Sequence, residues 1–242
     1  MDSGSAFSVK KVQKRSTEAQ AADRLREAIL EGDIPLGSRL TEILMSEQVG
    51  VSRGTIRTAF HQLVQEGLLV QVPYTGWTVM TLSSHDAWEL YTLRASLEAL
   101  ASRLVALRVR NNDPDGRVAA ALRSAYERLK AACAKRNNHR AIAQEDMNLH
   151  KSIVALAQHG RLRDQYSLIE HQARIYIRSS DELVQDPADI LSQHAPIIDT
   201  LLRGDEKSAV EAAAAHNERE GTILFEHLKR LELQAREAAS LK

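Results

Sequence analysis

Residues 50–69 read GVSRGTIRTAFHQLVQEGLL, and this stretch decides the fold of the N-terminal part of the chain. Apolar residues recur in it at the spacing of one buried helix face. Ser52 suits the N-cap of such a helix, and Gly67 suits the position after its end. The apolar arc comprises Ile56, Ala59, Phe60, Leu63 and Val64. We therefore predict an amphipathic helix that runs to Glu66.

The sequence on either side of this helix predicts the rest of a small domain. Helical patterns run from Thr17 to a stop at Gly32 and from Thr41 to Val49. Two β-rich runs, 68–72 and 77–81, flank Pro73-Tyr74-Thr75-Gly76, which is typical of a hairpin turn. Three helices followed by a two-stranded ribbon is the order of a winged helix-turn-helix domain.

The face opposite the apolar arc is suited to the major groove of DNA. There is no acidic residue between Val51 and Gln65. An arginine near the N-terminus of a helix can form two hydrogen bonds with one guanine, and the terminus itself favours a phosphate. The candidate DNA-contacting residues are Arg53, Gly54, Arg57, Thr58 and His61. An ordinary solvated helix has the same pattern, so periodicity alone leaves both interpretations open.

Gly50 to Gly54 also matches the G-x-S-x-G pattern of hydrolase nucleophile elbows. That elbow needs a strand before the serine, whereas a helical segment precedes Ser52. Because Ser52 is better explained as a helix cap, we do not expect a catalytic serine.

The composition is that of a helix-rich globular protein. Of 242 residues, 43% are hydrophobic and only 4% are aromatic, which favours helices over a strand-rich sandwich. The single cysteine excludes an intramolecular disulfide and a cysteine-built zinc finger. No apolar run has the length of a bilayer crossing, and the N-terminus lacks a signal-type core. We expect a cytoplasmic protein with no membrane partner.

The overall charge is balanced, with 32 basic and 32 acidic residues, so DNA binding would depend on a local basic patch. Residues 1–16 are expected to be a flexible arm with basic side chains at Lys10, Lys11, Lys14 and Arg15.

The second part of the chain, residues 83–238, has long helical patterns and almost no strand signal. Short breaks such as Asp186-Pro187 and Gly204 separate them. The predicted helices are 84–109, 115–135, 139–157, 161–179, 187–203 and 206–238. The lengths predict an antiparallel all-helical bundle, and the fold class is mainly α.

Four polar residues in this bundle have the pattern of metal ligands. Asp146 and His150 are neighbours on one helix face that also holds apolar residues, so both point toward the core. His194 lies among the apolar residues on one face of the predicted helix 187–203, and His216 lies at the edge of the apolar face of the last helix. Burying such groups unpaired costs several kcal/mol, about 2–7 for a neutral polar group.

Two explanations of these four residues compete. In the first, Asp146 and His150 pair with each other and the other histidines are satisfied locally. In the second, all four share one ion. We favour the second because one carboxylate and three imidazoles on three helices suit a divalent zinc, nickel or manganese ion.

The N-terminal part resembles the winged-helix domain of GntR-family bacterial transcription regulators. The resemblance covers residues 17–82, which we predict to be the DNA-binding domain. The matching residues are Leu25-Arg26-Glu27-Ala28-Ile29, Gly32, Arg39-Leu40-Thr41-Glu42, Gly50-Val51-Ser52-Arg53, Ile56-Arg57 and Glu66-Gly67-Leu68. It implies that Arg53 and Arg57 contact DNA, with Ser52, Gly54 and the wing Gly76 in support. The chain departs from the family at Leu36-Gly37 and at Gly54-Thr55, where the family usually has Pro-Gly and often Thr-Pro.

The C-terminal part resembles the FCD effector domain of the FadR-like branch of that family. Metal-binding FCD domains carry Asp-x-x-x-His, then a histidine, then another on the last helix. Asp146, His150, His194 and His216 match these positions one by one.

An arginine in the first helix of the FCD domain reaches the ligand cavity, and the resemblance gives Arg94 this role. From the sequence alone, Arg94 lies one position off a stripe of leucines, and an exposed pair with Glu98 would explain it equally well.

Together these patterns predict a ligand-responsive transcription regulator and not an enzyme. We expect it to be a homodimer that binds double-stranded operator DNA and a small organic acid. The alternatives are a metal-dependent hydrolase, because an ion with open positions can activate water, and a regulator whose metal is purely structural.

Overall fold

The structure, a computed structural model, describes residues 16–72, 76–111, 113–135, 138–181, 183 and 186–240. The predicted arm, apart from Ser16, and Pro73-Tyr74-Thr75 of the predicted turn lie outside the described residues. The chain divides into two compact units, Met1–Val79 and Met80–Lys242.

Three helices and a small sheet form the first unit. The elements are α1 Thr17–Glu31, β1 Arg39–Leu40, α2 Glu42–Val49, α3 Arg53–Gln65, β2 Leu69–Val72 and β3 Gly76–Val79. Each helix begins where the sequence offers a capping hydroxyl: Ser16, Thr41 and Ser52 accept a hydrogen bond from a backbone amide three residues later. The predicted winged helix-turn-helix is confirmed.

The sheet has one strand more than the sequence predicted. Its order is β1-β3-β2, with both pairings antiparallel. In the additional strand, Arg39 pairs with Thr78 and Leu40 pairs with Trp77. The prediction of a two-stranded ribbon was wrong because two residues are too few to show the alternation by which a strand is recognised.

The apolar arc of α3 forms the core of this unit. Ile56, Ala59, Phe60 and Leu63 have no exposed surface, and the Phe60 ring packs against Trp77 of β3 with ring centres 5.2 Å apart. At the end of α3, Glu66 accepts two hydrogen bonds from the Arg26 guanidinium of α1, at 2.6 and 2.7 Å. The opposite face of α3 is therefore left to solvent.

Within the described residues the second unit contains helices only. They are α4 Ser84–Asn111, α5 Arg117–Cys133, α6 His139–Leu156, α7 Gly160–Asp181, α8 Pro187–Arg203 and α9 Glu206–Ser240. These bounds confirm the predicted mainly helical fold. None of the described helices is both long and apolar enough to span a membrane.

The long helices α4 and α9 pack against each other at very short range. A Cβ atom added to Gly221 of α9 would lie 2.6 Å from Cβ of Tyr91 on α4, so only glycine fits this contact. The buried residues of α4 include Tyr91, Arg94 and Glu98, whereas Leu93 and Leu100 are exposed. Because of this close packing, the side of α4 that carries Arg94 and Glu98 faces the interior of the bundle, and Leu93 and Leu100 face solvent.

Candidate functional site

Three helices bring three buried histidines together in the second unit. His150 of α6, His194 of α8 and His216 of α9 each offer a ring nitrogen, and these atoms all lie within 4.8 Å of one another. His216 is 7% exposed, so it lies inside the bundle although the sequence placed it at the edge of the apolar face of its helix. It is buried because α9 packs against both α4 and α8.

The fourth predicted ligand, Asp146, faces two of these rings. Its Oδ1 lies 3.2 Å from Nε2 of His150, and its Oδ2 lies 3.3 Å from Nε2 of His194. The two Nε2 atoms are 3.2 Å apart. Asp146 is 3% exposed and stands one turn before His150 on α6, as the i, i+4 spacing predicts.

The outer nitrogens of two rings are occupied by acceptors. His194 donates its Nδ1 hydrogen to the backbone carbonyl of Ile190 at 2.8 Å. His150 presents Nδ1 to a carboxylate oxygen of Glu98 at 2.9 Å. Because each Nδ1 donates a hydrogen, the Nε2 atoms of the two rings are the nitrogens that face each other and Asp146.

Acceptors that converge in this way need a shared cation. Two imidazole lone pairs and a carboxylate repel one another unless a proton or a metal ion lies between them. Nδ1 of His216 is buried and has no hydrogen-bond partner among the described residues. The three imidazoles therefore fit a divalent metal, and Asp146 lies beside two of them.

The pKa values of these groups follow from burial and mutual charge. Burial disfavours ionised Asp146, but His194 and His150 hold its pKa well below the usual range. Burial also disfavours a charged His150, yet Glu98 and Asp146 raise the pKa of that ring to about 9. Burial, together with His194 and His150, lowers the pKa of His216 well below its ordinary value. The cluster thus attracts positive charge and keeps His216 neutral.

Arg94 lies beside the cluster, with its guanidinium carbon 4.9 Å from the centre of the Tyr91 ring. Its side chain is 1% exposed, and Nε donates to Glu98 at 3.1 Å. Nη1 and Nη2 are buried and have no hydrogen-bond partner within the described residues. The interpretation of Arg94 and Glu98 as an exposed pair was therefore wrong, because the close packing of α4 with α9 buries this side of α4.

A cavity joins Arg94 to the histidine cluster. Its lining includes Tyr91, Arg94, Asp146, His194, His216 and Glu220, and its volume is about 10 Å³. A cavity of about 10–15 Å³ holds one water molecule. This cavity therefore suits a single ion, and a ligand between that ion and Arg94 would require the lining side chains to move.

Sequence reasoning missed Glu98 as a member of this site. The carboxylate is 3% exposed and contacts four side chains from four helices: Arg94, His150, Tyr166 and Asn217. Its i, i+4 spacing from Arg94 was visible in the sequence. However, the regularly spaced leucines of α4 suggested that the leucine side of the helix was buried and that Arg94 and Glu98 faced solvent.

The predicted DNA-contacting residues lie together at the exposed N-terminal part of α3. Ser52, Arg53, Gly54, Arg57, Thr58 and His61 are all exposed. Ser52 caps the helix by accepting from the amide of Thr55 at 3.1 Å, which agrees with a capping and not a catalytic serine. Gly76, the predicted wing residue, is half-buried at the start of β3 and has φ of 100°.

Arg57 has a partner that the sequence did not suggest. Its guanidinium donates to both carboxylate oxygens of Glu42 on α2, at 2.7 and 2.8 Å. The hydrogen bond from Arg57 lowers the pKa of Glu42. A planar two-bond pair of this kind holds the arginine fork in a defined orientation.

Family comparisons cover both units. The model described as "Bacterial regulatory proteins, gntR family" matches residues 17–79, and that of the FCD domain matches residues 89–219. A similar protein from Paenarthrobacter nicotinovorans, 29% identical over 84% of this chain and 88% of its own, is named "Probable D-xylose utilization operon transcriptional repressor". The transcriptional regulator YdhC of Bacillus subtilis is 25% identical over 87% of this chain and 90% of its own.

Solved structures share the fold. A GntR regulator from Rhodococcus sp. RHA1 superposes with a TM-score of 0.73 at 21% identity, covering 86% of this chain and 96% of its own. McbR/YncC of E. coli gives a TM-score of 0.70 at 21% identity, covering 88% and 99%. The named relatives are transcription regulators, which favours a regulatory function over a metal-dependent hydrolase.

The chain belongs to the GntR family of bacterial DNA-binding transcription regulators and carries an FCD domain after its winged helix-turn-helix.

Proposed function

We propose that this regulator senses a small carboxylate with a metal-loaded helical unit, and binds a near-palindromic operator as a homodimer. The observation that carries the proposal is the convergence of three buried imidazoles and the Asp146 carboxylate beside Arg94, whose Nη1 and Nη2 have no hydrogen-bond partner within the described residues.

The proposed ion is divalent and is held by Asp146, His150, His194 and His216. Three imidazoles and one carboxylate suit borderline ions such as zinc, nickel or manganese. Such an ion balances the negative charge of the cluster, and as a Lewis acid it accepts an anionic oxygen of a ligand.

The proposed effector is a small carboxylate or hydroxy-carboxylate that also contacts Arg94. A guanidinium pairs with a carboxylate through two parallel hydrogen bonds, and Nη1 and Nη2 of Arg94 have none within the described residues. The low exposure of Arg94 strengthens such a pair because little water competes for it.

The proposed DNA contacts come from the N-terminal part of α3 and from the wing. Arg53 and Arg57 supply the base contacts, and Ser52, Gly54, Thr58, His61 and Gly76 support them. The pair between Arg57 and Glu42 favours a pre-oriented arginine fork, as bidentate contact with guanine requires.

Acid binding regulates the protein only if the DNA-binding and non-binding arrangements of the dimer differ in affinity for the acid. This requirement separates an effector from a ligand that merely stabilises the fold.

Calorimetry with acetate, glycolate and lactate tests the proposal. We expect at least one acid to bind metal-loaded wild-type protein, and to bind metal-free protein and Arg94→Lys much more weakly. Lysine keeps a positive charge beside Glu98 but lacks the planar fork. Equal binding to all three proteins would place the acid elsewhere. Retention of the ion with no acid bound would support the alternative of a purely structural metal.

A further inference from the structure

We propose that Glu98 is the positioning residue of the site, because one carboxylate orients both the metal-binding ring of His150 and the anion-binding fork of Arg94. The proposal rests on the metal and acid functions proposed above, and its two arms can be measured separately.

The contacts of Glu98 divide evenly between its two oxygens. Oε1 accepts from Nε of Arg94 at 3.1 Å and from the hydroxyl of Tyr166 at 2.8 Å. Oε2 accepts from Nδ2 of Asn217 at 2.7 Å and lies 2.9 Å from Nδ1 of His150. Helices α4, α6, α7 and α9 therefore meet at one buried carboxylate.

The contact with His150 determines which ring nitrogen faces the cluster. Because Nδ1 donates its hydrogen to Glu98, Nε2 is the nitrogen that faces Asp146 and His194, and it is the atom left to bind a metal when the ring is neutral. A carboxylate behind a ligating imidazole also makes the ring a stronger donor, and partners of this kind support metal affinity in other proteins.

The contact with Arg94 determines which guanidinium nitrogens remain available. Nε is taken by Glu98, and Nη1 and Nη2 are left as the pair of donors that can bind an anion. Without Glu98, the plane of the Arg94 guanidinium would no longer be fixed. The ligand would then have to order this side chain on binding, which lowers the binding affinity.

The Glu98 carboxylate lies between two donors, the Arg94 guanidinium and Nδ1 of His150. Replacing it by a neutral group of the same shape is therefore a specific test of its charge.

Three variants test the proposal. Glu98→Gln removes the charge and keeps the shape, and Glu98→Asp keeps the charge but is one methylene too short to make all its contacts. Glu206→Gln is the matched control. Glu206 pairs with Arg110 of α4 at 2.5 Å, so it also joins α9 to α4, but it lies ten residues before His216, about 15 Å along the helix.

The first measurement uses Co²⁺ alone. We expect Glu98→Gln and Glu98→Asp to weaken Co²⁺ binding about 10- to 100-fold and to change the visible spectrum of the bound ion, which reports its ligand geometry. Glu206→Gln should change the affinity by less than about threefold and leave the spectrum as in wild type, because partly exposed ion pairs contribute little.

The second measurement uses the acid found by calorimetry, at Co²⁺ concentrations that saturate every variant. Both Glu98 variants should bind the acid at least about tenfold more weakly, as expected for a lost pre-organised contact. If no acid binds wild type, the proposed effector function fails while the Co²⁺ result still decides whether Glu98 positions His150.

Wild-type Co²⁺ affinity and spectrum in either Glu98 variant would overturn the proposal, as would equal losses in Glu206→Gln. Thermal unfolding of the metal-free proteins shows which variants fold. If Glu98→Gln does not fold, Glu98→Asp decides, because a purely charge-balancing role predicts wild-type Co²⁺ binding for it and a positioning role predicts a loss.

Discussion

Several charged side chains are buried in the described part of the helical unit. Glu98 has four partners, and Asp146 faces two imidazoles. Within the described residues, Arg94 makes one hydrogen bond for a group with five N–H donors, besides its contact with the Tyr91 ring. A buried charge that lacks hydrogen-bond partners lowers stability unless a ligand supplies them. Nη1 and Nη2 of Arg94 and Nδ1 of His216 lack hydrogen-bond partners within the described residues, and this identifies the site more strongly than composition does.

At the metal cluster, we expect the double variant His150→Ala/His194→Ala to lose the bound ion. Removing two of four donors abolishes the shared coordination, and the metal content should fall from about one ion per chain toward none. Elemental analysis of protein purified without a histidine tag measures it. His139→Ala, at the exposed start of α6, is the control. Equal metal content in wild type, the double variant and His139→Ala would mean that His150 and His194 are packing residues and not metal ligands.

At the DNA-binding face, we expect Arg53→Ala and Arg57→Ala each to weaken specific operator binding by about 1–3 kcal/mol. Each change removes an exposed guanidinium from α3 without touching its buried arc. Gel-shift titration measures the loss, with Arg117→Ala, an exposed arginine of the second unit, as the control. An unchanged affinity in the folded double variant would contradict the predicted readout.

The helical elements are placed by a few close contacts between helices, and Gly221 is the clearest of them. A side chain at this position of α9 would overlap Tyr91 of α4. The same α4 face carries Arg94 and Glu98, so the spacing of these two helices decides where the anion-binding and positioning groups lie.

We therefore expect Gly221→Ala to lower the free energy of unfolding by about 1–3 kcal/mol, the usual cost of overpacking, less the gain in helix propensity. Urea denaturation measures it. Gly160→Ala is the matched control because a Cβ atom there has no neighbour within 4 Å in the described structure. If both substitutions have the same effect, the α4–α9 contact is looser than described.

At the scale of the whole molecule, we expect a homodimer. A single winged helix makes few base contacts, and two-fold symmetry doubles them on a near-palindromic operator. Light scattering of the free protein and of the DNA complex tests this. Only monomers in both samples would refute it.

Much of the fold was predictable because its signals are local. The bounds of α1, α2 and α3 follow from capping residues and breaks within a few positions of each end. The short strand β1 was not predictable, since it forms only by pairing with β3, some forty residues later. The four proposed metal ligands came from spacing, apolar periodicity and family resemblance, and their ligation of an ion stays a prediction.

The sequence by itself determined the order and length of the helices, the exposed face of α3 and the residue types of the site. Periodicity, caps and breaks act over one or two helical turns, so they can be recognised without a structure. Only the tertiary structure decided that Arg94 and Glu98 are buried and that Glu42 holds Arg57. The contacts of Glu98 with Tyr166 and Asn217 span 68 and 119 residues of chain. The packing of whole helices creates such contacts, and no local pattern encodes them.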